Sequence, residues 1–175
     1  MVLHSLMNEY HPINDVASVL SILSEISVWG GLTDTQQAEI FQRLETGAFK
    51  KGEYIFHEGD QPSHIYILKK GRIEIVTSDG EVSVCKESVQ VGGCFGIVAL
   101  LAVQTYTASA LATEDSEVMV LSREALLSLY KEDTPLFALL MMNVAREIAR
   151  KLTTTDEVLL HYVHELKDGQ SSKLV

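Results

Sequence analysis

Residues 91–101, VGGCFGIVALL, gather backbone groups able to do chemistry without a catalytic side chain. Gly92, Gly93 and Gly96 permit sharp turns, and residues 97–101 read as one short helical turn, apolar on every side. Glycines that feed a helix N-terminus leave several N–H groups unpaired, and such donors can hold an anion such as a phosphate. In a β-rich chain the same glycines also serve as ordinary turns, so the segment alone leaves both readings open. Cys94 stands near that helix start, where a thiol is acidified, but local sequence puts no His beside it and a buried, inert thiol is expected. His161 and His164, with Glu165 adjacent, have the spacing to share a metal on a helix, yet exposed helix histidines give the same pattern and no metal is assigned. His57 and His64 flank a turn and are expected at the surface, and Glu114-Asp115 reads as a solvated turn. No nucleophile and base come together, so a non-enzyme is expected.

The elements that must position these groups show as a change of period along the chain. From Asp15 the apolar residues Val16, Val19, Leu20, Leu23 and Ile26 recur at helical spacing until Gly30-Gly31. Thr33 and Gln36 form a capping box for a second helix, with Ile40, Phe41 and Leu44 inward and Gly47 as its stop. Between Ala48 and Leu121 the period is two, with runs at 54–56, 65–67, 73–75, 82–84, 105–112 and 118–121. Lys70-Gly71 and Asp79-Gly80 supply turn residues between those runs. The fold class expected is α+β: an antiparallel β-roll or jelly-roll of about eight strands, flanked by N-terminal helices and a long C-terminal helix.

That last helix opens at Asp133 or Thr134, with Pro135 at its first position, and meets no glycine or proline until Gly169. The β-branched run Thr153-Thr154-Thr155 is the one place where it is expected to break if it breaks at all. Met141, Ala145, Ile148, Leu152, Thr155, Leu159, Tyr162 and Leu166 alternate in steps of four and three, which is a heptad seam. A parallel homodimer is expected, against a monomer with the helix folded back.

Composition narrows the partners. The chain has 175 residues, 46% of them hydrophobic and 22% charged, enough for one domain with an appendage. With 14 basic and 24 acidic residues it carries a net charge of −10, which repels nucleic acid and anionic lipid, so neither direct DNA binding nor a membrane partner is expected. The longest apolar stretch, residues 94–103, is about half of what a bilayer crossing needs. With no targeting signal in MVLHSLMNEYHPIND and two cysteines, Cys85 and Cys94, expected as free thiols, a cytoplasmic protein is expected.

The order of features resembles the cyclic nucleotide-binding domain family. The stretch WGGLTDTQQAEI, then FKKGEYIFHEGDQPSHIYILKKGRIEIV, is similar to the first half of that domain, including the Lys-Gly-Glu strand entry, the Glu58-Gly59-Asp60 turn and a Gly71 hairpin. VGGCFGIVALL followed by Thr107-Ala108 resembles the family's phosphate-binding cassette, and the likeness extends from about Leu20 to Leu160. It implies a 1–14 tail, a 15–133 roll domain, a 134–166 dimerisation helix and a 167–175 tail. IARKLTTTDE resembles the dimer helix of catabolite-activator-type regulators, which puts Thr155 and Asp156 where polar residues reach the ligand's base. The helix-turn-helix domain of those regulators has no counterpart in HELKDGQSSKLV.

The family pattern also asks for a Glu to accept from the ribose hydroxyl and an Arg to pair with the phosphate, and this sequence has Ile97 and Tyr106 there. Tyrosine can donate one hydrogen bond and isoleucine none. What remains to hold a ligand is the backbone of Gly96, Ile97, Val98 and Ala99, with Tyr106, Thr107, Ser109 and Thr155. The plainer reading is that Ile97, Val98, Leu100 and Leu101 fill the roll interior and close the site. A regulatory or interaction module with an unidentified protein partner is therefore expected. The alternative is a cyclic nucleotide sensor that binds through backbone amides and non-standard side chains. No cofactor is expected beyond such a small-molecule ligand.

Overall fold

The computed structural model describes residues 9–13, 19, 22, 26–78 and 83–171, without the side chains of 83, 158, 161–163 and 165–171. Of the expected first helix only Val19, Ile22 and residues 26–29 are described, and Ser27–Trp29 form a single 3-10 turn there; the Asp79-Gly80 turn lies outside the described residues altogether. The capping box forms as read: Gln36 N–H donates to Thr33 Oγ1 at 3.3 Å and Thr33 N–H to Gln36 Oε1 at 3.0 Å, opening helix α1 (Asp34–Phe41).

The helix stops earlier than the periodicity suggests. Leu44 and Gly47 belong to strand β2 (Leu44–Phe49), not to a helix end, because Leu44 pairs with Leu121 and Gly47 with Val118 across β9 (Ser116–Ser122). Nine strands form two antiparallel sheets among the described residues. One has the order β1 (His11–Pro12), β2, β9, β4 (His64–Lys70), β7 (Cys94–Phe95). The other has the order β3 (Tyr54–Phe56), β8 (Ser109–Ala112), β5 (Ile73–Ser78), β6 (Ser83–Val89). Gly71 is accordingly not a hairpin turn. It is the corner at which the chain leaves one sheet for the other, at φ +90.

The sheets enclose one apolar cluster, which includes Phe56, Tyr66, Leu68, Phe95, Tyr106 and Val120. A second cluster lies between the five-stranded sheet and the helices, with Trp29, Ile40, Ile97, Met119, Leu136 and Val144. Ser122 caps α3 (Arg123–Glu132) by accepting from Ala125 N–H at 3.0 Å. Asp133, rather than Thr134, caps α4 (Thr134–Ser171) through Leu136 N–H at 2.9 Å, so Pro135 is the second helical residue, where an absent N–H still costs nothing.

α4 runs 38 residues without interruption. At the threonine run each hydroxyl donates to the carbonyl four residues back, from Thr153, Thr154 and Thr155 to Ala149, Arg150 and Lys151, which satisfies the side chains inside the helix. Asn143 is buried and ties α4 to the N-terminal segment, donating to the carbonyls of Val28 (3.1 Å) and Gly30 (2.8 Å). Met141 and Ile148 of the expected seam pack partly against the chain's own core, whereas Ala145, Leu152, Thr155 and Leu159 are exposed. The Tyr162 and Leu166 side chains lie outside the described residues. Among the described residues no helix is long and apolar enough to cross a membrane.

Candidate functional site

The cassette hangs on β4. Leu68 N–H donates to Gly93 O at 3.0 Å and Gly92 N–H to Leu68 O at 2.8 Å, which sets residues 92–93 against the sheet before β7. Gly96 then starts helix α2 (Ile97–Ala102) at φ +75, and a Cβ there would meet the Tyr66 ring at 2.8 Å. Only glycine satisfies both the handedness and the close approach. The helix ends at Val103, a β-branched residue at φ 54, which is a strained conformation beside the site.

α2 is amphipathic in place. Ile97 and Leu100 are buried in the helix-side cluster and Ala99 in the roll cluster, but Val98 is 53% and Leu101 41% exposed. The expected filling of the roll interior by these four residues therefore does not occur. A cavity of about 590 Å³ stays open between the cassette, β6 and α4, within the range of small-molecule sites. Gly96, Ile97, Val98, Ala99, Tyr106, Thr107 and Thr155 all reach its wall, while Ser109 and Asp156 do not. Ser109 instead accepts from Glu58 N–H at 2.9 Å, fixing the turn at residues 58–60.

Tyr106 contributes its ring and not its hydroxyl. The ring stacks on Phe56 at 3.7 Å between centroids and 9° between planes, inside the roll cluster. Its hydroxyl is fully buried beside Tyr66 without a well-aligned hydrogen bond, and burial pushes it up to about 12, with Tyr66 pulling the other way. Since the cavity is open and the hydroxyl is not accessible, no donor from Tyr106 faces a ligand. Thr155 is limited too: its proton is committed to the Lys151 carbonyl at 2.9 Å, so toward the cavity its oxygen can only accept.

Sequence reasoning missed the charged residues of this cavity. Lys86 and Glu87 enter from β6, and Glu147, Arg150 and Lys151 from α4. Lys151 Nζ donates to Glu87 Oε1 and to Cys94 O, the latter at 2.9 Å, linking helix, β6 and cassette. Arg150 pairs with Glu147 at 2.8 Å. Burial, the largest single influence, raises the Glu147 carboxyl, but the hydrogen bonds from Arg150 and Ser27 and the charges of Arg150 and Lys151 together outweigh it and the net shift is downward. The helical spacing of 147, 150 and 151 was legible, but nothing in it said which face the cassette would approach.

The remaining candidates separate. Cys94 is buried, its thiol pushed up to about 12 by burial first and by Glu147 next, while Cys85 is exposed. We expect one thiol per chain to react with Ellman's reagent at neutral pH, and the second only on denaturation; two fast thiols would contradict this burial. Asp115 binds Lys50 at 2.8 Å and Glu114 binds Arg72 at 3.5 Å, so the neighbouring carboxylates work separately in their turn. His64 is half-buried rather than at the surface, and desolvation holds its pKa down. Among the described residues no group of three His, Cys, Asp or Glu could hold a metal; the His161 and Glu165 side chains lie outside them.

A glycine-fed cassette, a roll of two sheets and a helix closing one cavity are the architecture of a known family, whose sequence pattern matches residues 46–133. The chain belongs to the cyclic nucleotide-binding domain family. Against a cAMP-dependent protein kinase regulatory subunit of Hypocrea atroviridis this domain is 35% identical over 105 residues, covering 60% of the chain and 22% of the relative. A cyclic nucleotide-binding domain from Methylobacillus flagellatus superposes with a TM-score of 0.74 at 16% identity, over 83% of this chain and 82% of that one. The catabolite activator protein of Thermus thermophilus gives 0.68 at 26% identity, over 78% of this cyclic nucleotide-binding domain and 63% of that chain. The domain spans about a fifth of the kinase subunit's length. The curated relative is a regulatory subunit, and both solved structures share this fold.

Proposed function

We propose that this domain is a non-enzymatic regulatory module whose cavity receives a small molecule without the family's carboxylate and guanidinium. The placement of Tyr106 carries the reading: at the position where the resemblance expects Arg, the side chain lies in the roll core with its hydroxyl inaccessible. Ile97, where Glu is expected, is 3% exposed and packs toward the helices. Charged hydrogen bonds contribute about 1.5–3 kcal/mol each, so the absence of two removes about 3–6 kcal/mol. That corresponds to a hundredfold to more than ten-thousandfold, in order of magnitude, in affinity. Calorimetric titration with cyclic AMP or cyclic GMP is expected to give no binding tighter than about 100 μM, or about −5.5 kcal/mol. A low-micromolar constant for either nucleotide would restore the sensor reading.

In this reading residues 15–133 receive the ligand and residues 134–166 carry the output. α4 walls the cavity with Ile148, Lys151, Thr154 and Thr155 and continues with Leu152, Leu159 and Leu160 exposed. A second copy of the chain is the partner proposed for that stripe, since a heptad seam left in water is costly and a matching seam relieves it. An unidentified protein would read the dimer, in a reducing compartment that keeps both cysteines free.

A further inference from the structure

Successive residues of a strand point to opposite faces, yet Lys86 and Glu87 both reach the cavity. The register of β5 and β6 explains how. Ile75 stands opposite Glu87 and Val76 opposite Cys85, so Lys86 is the extra residue of a β-bulge, a device that re-aims a side chain. Its Nζ donates to the Thr107 carbonyl at 3.3 Å, at the far end of the cassette. The other two cations of the wall are engaged, Arg150 with Glu147 and Lys151 with Glu87. Among the described residues Lys86 makes no ion pair.

The wall holds three cations and two carboxylates, a net +1, in a chain whose net charge is −10. The Lys86 ammonium is exposed, shared between the neutral Thr107 carbonyl and solvent, and it gains by exchanging the carbonyl for an anion, because a bond between two charged groups is shorter and stronger. Glu87 and Glu147 oppose a compact multiply charged ligand. Phe56, Ile75, Phe95 and Ile148 offer apolar surface for the rest of the molecule.

We propose that Lys86 is the anion-recognising side chain of this cavity and that its ligands are amphiphiles with an apolar body and one anionic group. The inference rests on the small-molecule reading above and names the ligand class for it. It moves the anion contact from the family's cassette position to a bulge in the opposite sheet.

Two fluorescent probes with the same rings separate charge from burial: 8-anilinonaphthalene-1-sulfonate carries a sulfonate, and N-phenyl-1-naphthylamine carries none. Wild-type protein is expected to bind both, and Lys86→Met to weaken the sulfonate by about tenfold while leaving the neutral probe within about twofold. Lys86→Arg should retain sulfonate binding within about threefold, and Lys51→Met, outside the cavity wall, should change neither. No sulfonate binding to the wild type, indifference to Lys86→Met, or equal loss of both probes overturns the proposal. Tight cyclic nucleotide binding beside Lys86-dependent sulfonate binding removes the altered-contact reading and leaves this one standing. Weak nucleotide binding with Lys86-independent sulfonate binding does the opposite.

Discussion

Leu152→Glu is expected to make the protein monomeric in sedimentation velocity at concentrations where the wild type is a dimer. Leu152 is 62% and Leu159 60% exposed in the single chain, although both belong to a heptad series on a helix that outruns its own domain. Burying a leucine contributes about 1.5–3 kcal/mol, and a symmetric seam counts it twice, so its loss alone weakens association by about 3–6 kcal/mol. A glutamate also meets its own symmetry mate, which adds desolvation and like-charge repulsion. Circular dichroism of the roll should persist, because neither apolar cluster includes Leu152. Glu157→Lys, exposed on the same helix, should change assembly by under about 1 kcal/mol. Ile148 is a poorer probe, since it packs on the domain's own core and a charge there would disturb the monomer too. A wild type that sediments as a monomer at high micromolar concentration would remove the dimer.

Gly71→Ala is expected to lower stability by about 3 kcal/mol or more, which for a domain of this size is a fall of about 10 °C in melting temperature. A Cβ at this position would stand 2.4 Å from Ser116 Oγ, 2.5 Å from Asp115 O and 2.8 Å from Ser116 Cα, two of which are backbone atoms that cannot turn aside. It would also break the corner network, in which Ser116 Oγ accepts from Arg72 N–H at 3.2 Å and donates toward Glu114 O at 2.8 Å. The left-handed φ adds about 1–2 kcal/mol for any side chain. Gly52→Ala isolates that last contribution: its φ is +91 but nothing lies within 4 Å of the added Cβ, so a loss of about 1 kcal/mol is expected. Equal melting temperatures for the two variants would show that the clash at the corner relaxes freely.

Local chemistry made much of the fold legible. The capping box at Thr33 and Gln36, most of the period-two runs and the long apolar-periodic C-terminal segment depend on neighbours within a few residues and formed where such rules put them, but the run expected at 105–112 is a strand only from Ser109, with 105–108 an irregular approach to it. Leu44 and Gly47 were misplaced because helix and strand periods coincide over so short a stretch, and pairing with β9 decided between them. Gly71 read as a hairpin for a similar reason: a turn residue reports a change of direction, not the sheet in which the next strand will pair.

Identity and order along the chain are enough to place it in its family, to locate the cassette and to give the residue types at its two telling positions, Ile97 and Tyr106. Which way these side chains turn depends on packing between elements distant in sequence. The Tyr106 ring finds Phe56 on the adjacent strand β3, and that stacking withdraws its hydroxyl from the cavity. Lys86, without any local mark, acquires its place from a one-residue slip against β5, and Lys151 meets Glu87 across 64 residues of chain. Long-range register and packing set those contacts, and they carry no periodic signal because their partners are distant in sequence.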